Sequence, residues 1–166
     1  MMKDLKMQLE SARSLPDIFE VVKASVLKST GKSRAGLMLG MADLGNSPEA
    51  FFGAFYSVGS NVIVMNKIPL QRIKETMPEL FKPYAFQVLM HEYMHTLGYL
   101  DESLVRTKVV EICRRTLGED HLATRLAADT TSYFKNLVYP DSAWKPDDDR
   151  MDLVRDFDRS SASYIA

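Results

Sequence analysis

Residues 83–98, PYAFQVLMHEYMHTLG, constrain the fold more than any other stretch of the chain. Pro83 suits the first turn of a helix and Gly98 suits its end, and nothing between them breaks a helix. The stretch therefore predicts one helix running to Leu97. Within it, Phe86, Met90, Tyr93 and Leu97 share one face, while Tyr84, Val88, His91 and His95 share the opposite one. The first face is expected to anchor the helix in the core, and the second to turn both histidines into a cleft.

Two of the three histidines of the chain thus stand four residues apart on one helix, with a glutamate directly after the first. Side chains at i and i+4 lie about 5–6 Å apart at Cβ. Two imidazoles at that spacing can converge on one zinc ion, at about 2.0–2.1 Å per nitrogen. Glu92 sits one step around the helix, where its carboxylate can reach a water on the metal. Zinc lowers the pKa of such a water to about 7, and a neighbouring carboxylate can take its proton and pass it on to a leaving amine. A closed structural zinc site is a poor match, since those favour cysteine ligands and the chain has a single cysteine, Cys113.

The rest of the chain supplies a frame for this helix. SLPDIFEVVKASVLKSTG reads as a helix capped by Ser14, with Asp17 at capping-box spacing, an apolar stripe of Phe19, Val22 and Val26, and a stop at Gly31. RAGLMLGMA suits a buried strand. FFGAFYSVGSNVIVMN suits a hairpin turning at Gly59, Ser60 and Asn61. KIPLQRIKETMPEL, punctuated by Pro69 and Pro78, predicts a short helix and a loop. DESLVRTKVVEICRRTLG predicts a helix that buries Val105, Val109 and Ile112 and stops at Gly118. EDHLATRLAADTTSYFKNLV predicts another, with Leu122, Leu126, Phe134 and Leu137 inward. From Pro140 the composition turns acidic and poor in apolar residues, so residues 140–166 are expected to form a loosely attached tail with one short helix at 150–158.

Length and composition narrow the class. The 166 residues suffice for one domain with a real core, assigned to 1–139. With 46% hydrophobic and 26% charged residues and a formal net charge of −1, neither nucleic acid nor an anionic membrane is an expected partner. No apolar run approaches the roughly 20 residues that span a bilayer. A single cysteine fits a reducing compartment, so the expected location is cytoplasmic.

HEYMH matches the HExxH signature of the zincin metallopeptidases, and HEYMHTLGYLD resembles the longer HExxHxxGxxH/D form of the metzincin branch. The resemblance covers about residues 35–125. It implies an α+β, zincin-like fold: a small antiparallel or mixed sheet packed on the active-site helix, followed by a helical C-terminal part. It further implies zinc as cofactor, a peptide or protein substrate, His91 and His95 as metal ligands, Glu92 as general base, and Gly98 as the turn toward the metal. The chain looks like the minimal single-domain zincins of prokaryotes. The main alternative is a zincin-like protein that binds metal and regulates without catalysing.

A catalytic zinc takes a third protein ligand. Asp101 occupies that place in the metzincin-like pattern, although an acid before SLV is also what a helix N-cap demands. His121, on the first turn of the following helix, is the rival. In the glutamate branch the ligand comes from a downstream helix, which points to Glu119 or Glu111. Tyr99, Tyr133 and Arg125 are candidate donors to the oxyanion of a tetrahedral intermediate.

Overall fold

A computed structural model describes residues 4–44, 51–133, 137–138, 152–155 and 157–158. The chain opens with two helices, α1 (Leu5–Ser11) and α2 (Leu15–Thr30). Ser14 caps α2 by accepting from the Asp17 N–H at 3.2 Å, and Asp17 in turn accepts from the Arg13 N–H at 2.9 Å. Gly31 ends α2 in the left-handed region at φ 76°, where a side chain would be strained.

The strand and the hairpin follow as the residue pattern predicts. β1 (Met38–Ala42) pairs in parallel with β4 (Val62–Asn66), and β4 pairs antiparallel with β3 (Ala54–Tyr56) through the turn at Gly59. β2 (Phe51–Phe52) lies outside this sheet and pairs in parallel with β5 (Leu137–Val138). Asn66 then caps α3 (Lys67–Thr76), its Oδ1 accepting from the Ile68 N–H at 3.2 Å.

A 3-10 turn over Pro78–Leu80 leads into α4 (Phe81–Thr96), which begins two residues earlier than Pro83 suggests. Proline is tolerated there because the first-turn N–H groups have no partner within the helix. The larger difference concerns burial. Every residue of α4 from Pro83 to Thr96 is buried, so the two faces read from the sequence do not differ in burial. It runs through the middle of the molecule, packed against α2, the β3–β4 hairpin, α5 (Glu102–Leu117) and α6 (Leu122–Ala128). Tyr93 meets Phe19 of α2 edge-on at 5.4 Å between ring centroids, and both side chains are fully enclosed. Burying a large apolar side chain contributes about 1.5–3 kcal/mol, so α4 is held by many such contacts along its whole length.

Arg34 fastens the end of α4 to the hairpin. Its guanidinium donates to the Thr96 carbonyl at 2.9 Å, to the Ser60 carbonyl at 3.0 Å and to the Tyr56 hydroxyl at 3.0 Å. Its backbone N–H donates to the Tyr93 hydroxyl at 2.9 Å. The helical segment expected from Leu122 onward breaks at Asp129, giving α6 and the short α7 (Thr130–Tyr133). Leu137 belongs to β5, and Phe134 falls outside the described residues.

The C-terminal stretch departs furthest from expectation. The acidic run 141–149 lies outside the described residues, but residues 152–155 and 157–158 are anchored rather than loose. Asp152–Leu153 form the strand β6 rather than a helix, pairing antiparallel with β1 and completing the sheet order β3-β4-β1-β6. Phe157 stacks on Phe19 at 4.1 Å between centroids. The carboxylate of Asp158 accepts from Lys23 Nζ at 2.7 Å and from the Leu37 N–H at 3.2 Å. Removing one partner of a buried charge pair typically costs 3–5 kcal/mol, so this contact fixes the stretch to α2 and to the start of the sheet. The described chain is thus α+β, with helices around a small mixed sheet, and no described helix is long and apolar enough to cross a membrane.

Candidate metal centre

Helix α4 ends in a closure that decides where the next helix starts. Leu97 N–H bonds to the Tyr93 carbonyl at 3.2 Å, Gly98 N–H to the His95 carbonyl at 3.0 Å, and Tyr99 N–H to the Met94 carbonyl at 3.3 Å. Gly98 takes φ 103°, a conformation that residues with a Cβ rarely adopt. The chain therefore reverses within Leu97–Asp101, and α5 starts beside the last turns of α4. Asp101 accepts from the Leu104 N–H at 2.9 Å and caps α5. The next residue, Glu102, turns its carboxylate to both histidines: Oε2 lies 2.8 Å from His91 Nε2, and Oε1 lies 2.7 Å from His95 Nε2.

Among the described residues, the side chains that bring metal-ligand atoms within 4.8 Å of one another are His91, His95 and Glu102. Two histidines and one glutamate form a ligand set of zinc hydrolases. His95 carries the further mark of a ligand. Its Nδ1 lies 2.7 Å from the Tyr99 carbonyl, which can only accept, so Nδ1 bears the proton. In the neutral ring Nε2 then holds a bare lone pair 2.7 Å from a carboxylate oxygen. Two acceptors that close repel unless a proton or a metal cation lies between them. A ligating histidine commonly has its second nitrogen tied to a carbonyl in this way. The donor set, its convergence and the fixed tautomer are compatible with a bound metal cation.

The electrostatics follow from enclosure. His91, Glu92 and His95 are 1%, 2% and 7% exposed. Burial lowers the pKa of His91, against the raising effect of Glu102. Burial acts the same way on His95, but there the hydrogen bond to Glu102, the charges of Glu92 and Glu102 and the Tyr99 carbonyl prevail, and the pKa is raised. Burial opposes ionisation of Glu102 too, yet its bonds to the two imidazoles hold the carboxyl down to about 2. Glu92 is pushed up to about 8 by its own burial, with Glu102 adding to the shift and His95 opposing it. A carboxyl poised near neutrality is suited to taking and returning a proton.

The third member of the trio, Glu102, is none of the residues that the sequence pattern offered for that place. Asp101 is occupied by its cap and lies outside the trio. His121 caps α6, its Nδ1 accepting from the Ala123 N–H at 3.0 Å, and it lines a separate cavity of about 610 Å³ at the other end of α4 with Leu9, Phe81 and Leu122. Glu119 pairs with Arg114, and Glu111 pairs with Arg115 at 3.4 Å. Tyr99 meets the centre through its carbonyl, while its ring lies 4.6 Å from Lys32 Nζ and 5.1 Å from Lys108 Nζ. Arg125 is exposed on α6, and Tyr133 is half-buried in α7. Cys113 is buried, and its thiol is pushed up to about 12, as for an inert core residue.

Glu102 was legible in principle. HEYMHTLGYLDE ends in two acids, and a helix start needs only one of them as its cap. The second is left at the first helical position, free to turn back toward α4. Comparison with protein-family models, with curated proteins and with solved structures finds no match to this chain.

Proposed function

We propose that this chain is a zinc-dependent peptidase of zincin type, working on peptide or protein substrates in the cytoplasm. His91, His95 and Glu102 would hold the metal, and Glu92 would serve as general base. The observation that carries the reading is the convergence of both imidazole Nε2 atoms on one carboxylate, with a second, buried glutamate directly after the first histidine.

Zinc bound by this set would supply a Lewis acid for the carbonyl and a water acidified to a pKa of about 7. The chain supplies the rest. The Tyr99 carbonyl holds the His95 ring in one tautomer. Glu102 stays ionised across the physiological range, because the imidazoles hold its carboxyl low. Glu92 takes a proton from the attacking water and returns it to the departing amine.

Metal analysis of the purified protein, followed by hydrolysis of a peptide library by wild type and Glu92→Gln, tests the proposal. Zinc in both proteins, with cleavage by the wild type alone, is the expected result. Equal cleavage by both would remove Glu92 from its role.

A second reading is favoured by a specific observation. The side chains of His91 and His95 are 2% and 7% exposed, whereas that of Glu102 is 27% exposed. A centre so enclosed also suits a protein that binds metal and regulates without turnover. Zinc binding without cleavage of any peptide by the wild type would select this second reading.

A further inference from the structure

Two hydrogen-bond donors next to the trio have no role in holding metal. Gln87 is 2% exposed, and its Nε2 has no hydrogen-bond partner among the described residues. It lies four residues before His91, one turn along α4 and on the same side of the helix. Buried polar groups are satisfied in the great majority of cases, so this amide nitrogen is a donor open to a bound water or to a ligand group that displaces it. Arg106 lies four residues after Glu102, one turn along α5. It is exposed and makes no ion pair among the described residues, and its positive charge acts on His91. Glu102, the acid spaced to pair with it on α5, is engaged by the two histidines instead. Both steps lead away from the turn that joins α4 to α5, so the amide and the guanidinium flank the trio on the same side.

We propose that Gln87 and Arg106 form a subsite for a carboxylate carried by the substrate, resting on the peptidase reading above. A neutral carbonyl would use the amide and leave the guanidinium charge unanswered. A carboxylate offers two oxygens and the matching charge, the group that a guanidinium fork recognises best. One helical turn is about 5.4 Å, so the carboxylate belongs to a residue at or next to the bond being cut. It comes either from the free C-terminus of a peptide or from an acidic side chain.

Calorimetric titration of the zinc-loaded protein with N-acetyl-leucine, N-acetyl-leucine amide and N-acetyl-glutamate α-amide separates these sources without relying on turnover. The subsite predicts that at least one acid binds about tenfold or more tightly than the neutral amide, as a charge-assisted hydrogen bond provides. N-acetyl-leucine leading identifies the C-terminal carboxylate, and N-acetyl-glutamate α-amide leading identifies the side chain. Arg106→Ala should abolish the preference, Gln87→Leu should weaken it several-fold, and both variants should retain one zinc per chain. Arg106→Lys, which keeps the charge without the fork, should recover part of it. Equal binding of acids and amide, no binding of any probe, or a preference that survives Arg106→Ala overturns the subsite. Acid preference without peptide cleavage by the wild type would leave the subsite standing while the peptidase reading falls.

Discussion

The starts of α5 and α6 are built alike and used differently. Each follows a turn containing a positive-φ glycine, Gly98 or Gly118, and each opens on a side chain that accepts a first-turn N–H, from Asp101 or from His121. The difference lies one residue on. At α5 the first helical residue is Glu102, which turns to His91 and His95. At α6 it is Leu122, which lines an apolar-walled cavity with Leu9 and Phe81. The cap turns the Asp101 carboxylate to the first-turn N–H of Leu104, and the acid that faces the two histidines is the one after it. The third histidine of the chain, His121, stands apart from the trio, beside the first turn of α4.

Replacing the acids in turn should produce the widest separation. Glu102→Ala is expected to weaken zinc binding by more than the 10–100-fold typical of losing a residue that merely supports a ligand, as read by competition with a chromophoric chelator. Asp101→Ala and His121→Ala should leave zinc affinity unchanged in the same assay. A ligand role for Asp101 would reverse that order.

Stability should separate the two caps next. Asp101→Ala removes a side-chain acceptor at the start of a 16-residue helix and is expected to cost about 1 kcal/mol, measured by denaturant unfolding of the metal-free protein. His121→Asn substitutes a better capping residue and should be neutral or stabilising by a few tenths of a kcal/mol. A large loss from His121→Asn would mean that this imidazole does more than cap.

Acid distinguishes the histidines by sign. Burial, with the nearby Lys6 charge, lowers the pKa of His121 below its ordinary 6.5, so its contribution to stability is complete above that value and is lost as the pH falls toward the folded pKa. His95 is shifted upward, so its contribution is complete below 6.5 and is lost as the pH rises through its folded pKa. The melting temperature of the metal-free wild type should therefore fall relative to that of His121→Asn between about pH 6.5 and 5. Zinc affinity should fall over the same interval, because metal and proton compete for His91 and His95.

Much of the frame was legible from local pattern. Ser14 and Gly31 bracket α2, the Gly59 turn gives the hairpin, and the His–Glu–x–x–His spacing marks the end of α4 where the trio lies, all within short windows of sequence. What was not legible depends on distant contacts. That α4 is buried from Pro83 to Thr96 follows from how its neighbours pack around it. The attachment of Phe157 and Asp158 rests on Phe157 against Phe19 and on Asp158 against Lys23, 135 residues away in the chain. Two anchors in an acidic stretch carry no periodicity to read. Glu102 stands next to Asp101, and local sequence does not separate the two acids, because a helix cap and a metal ligand draw on the same residue types.

X-ray absorption at the zinc edge of the loaded protein, wild type beside Glu102→Ala, tests the ligand set most directly. Two imidazole nitrogens at about 2.0–2.1 Å and a carboxylate oxygen at about 2.0–2.2 Å are predicted in the wild type, with the carboxylate contribution missing from the variant. The same coordination in both proteins, or sulfur from Cys113 among the ligands, would contradict it.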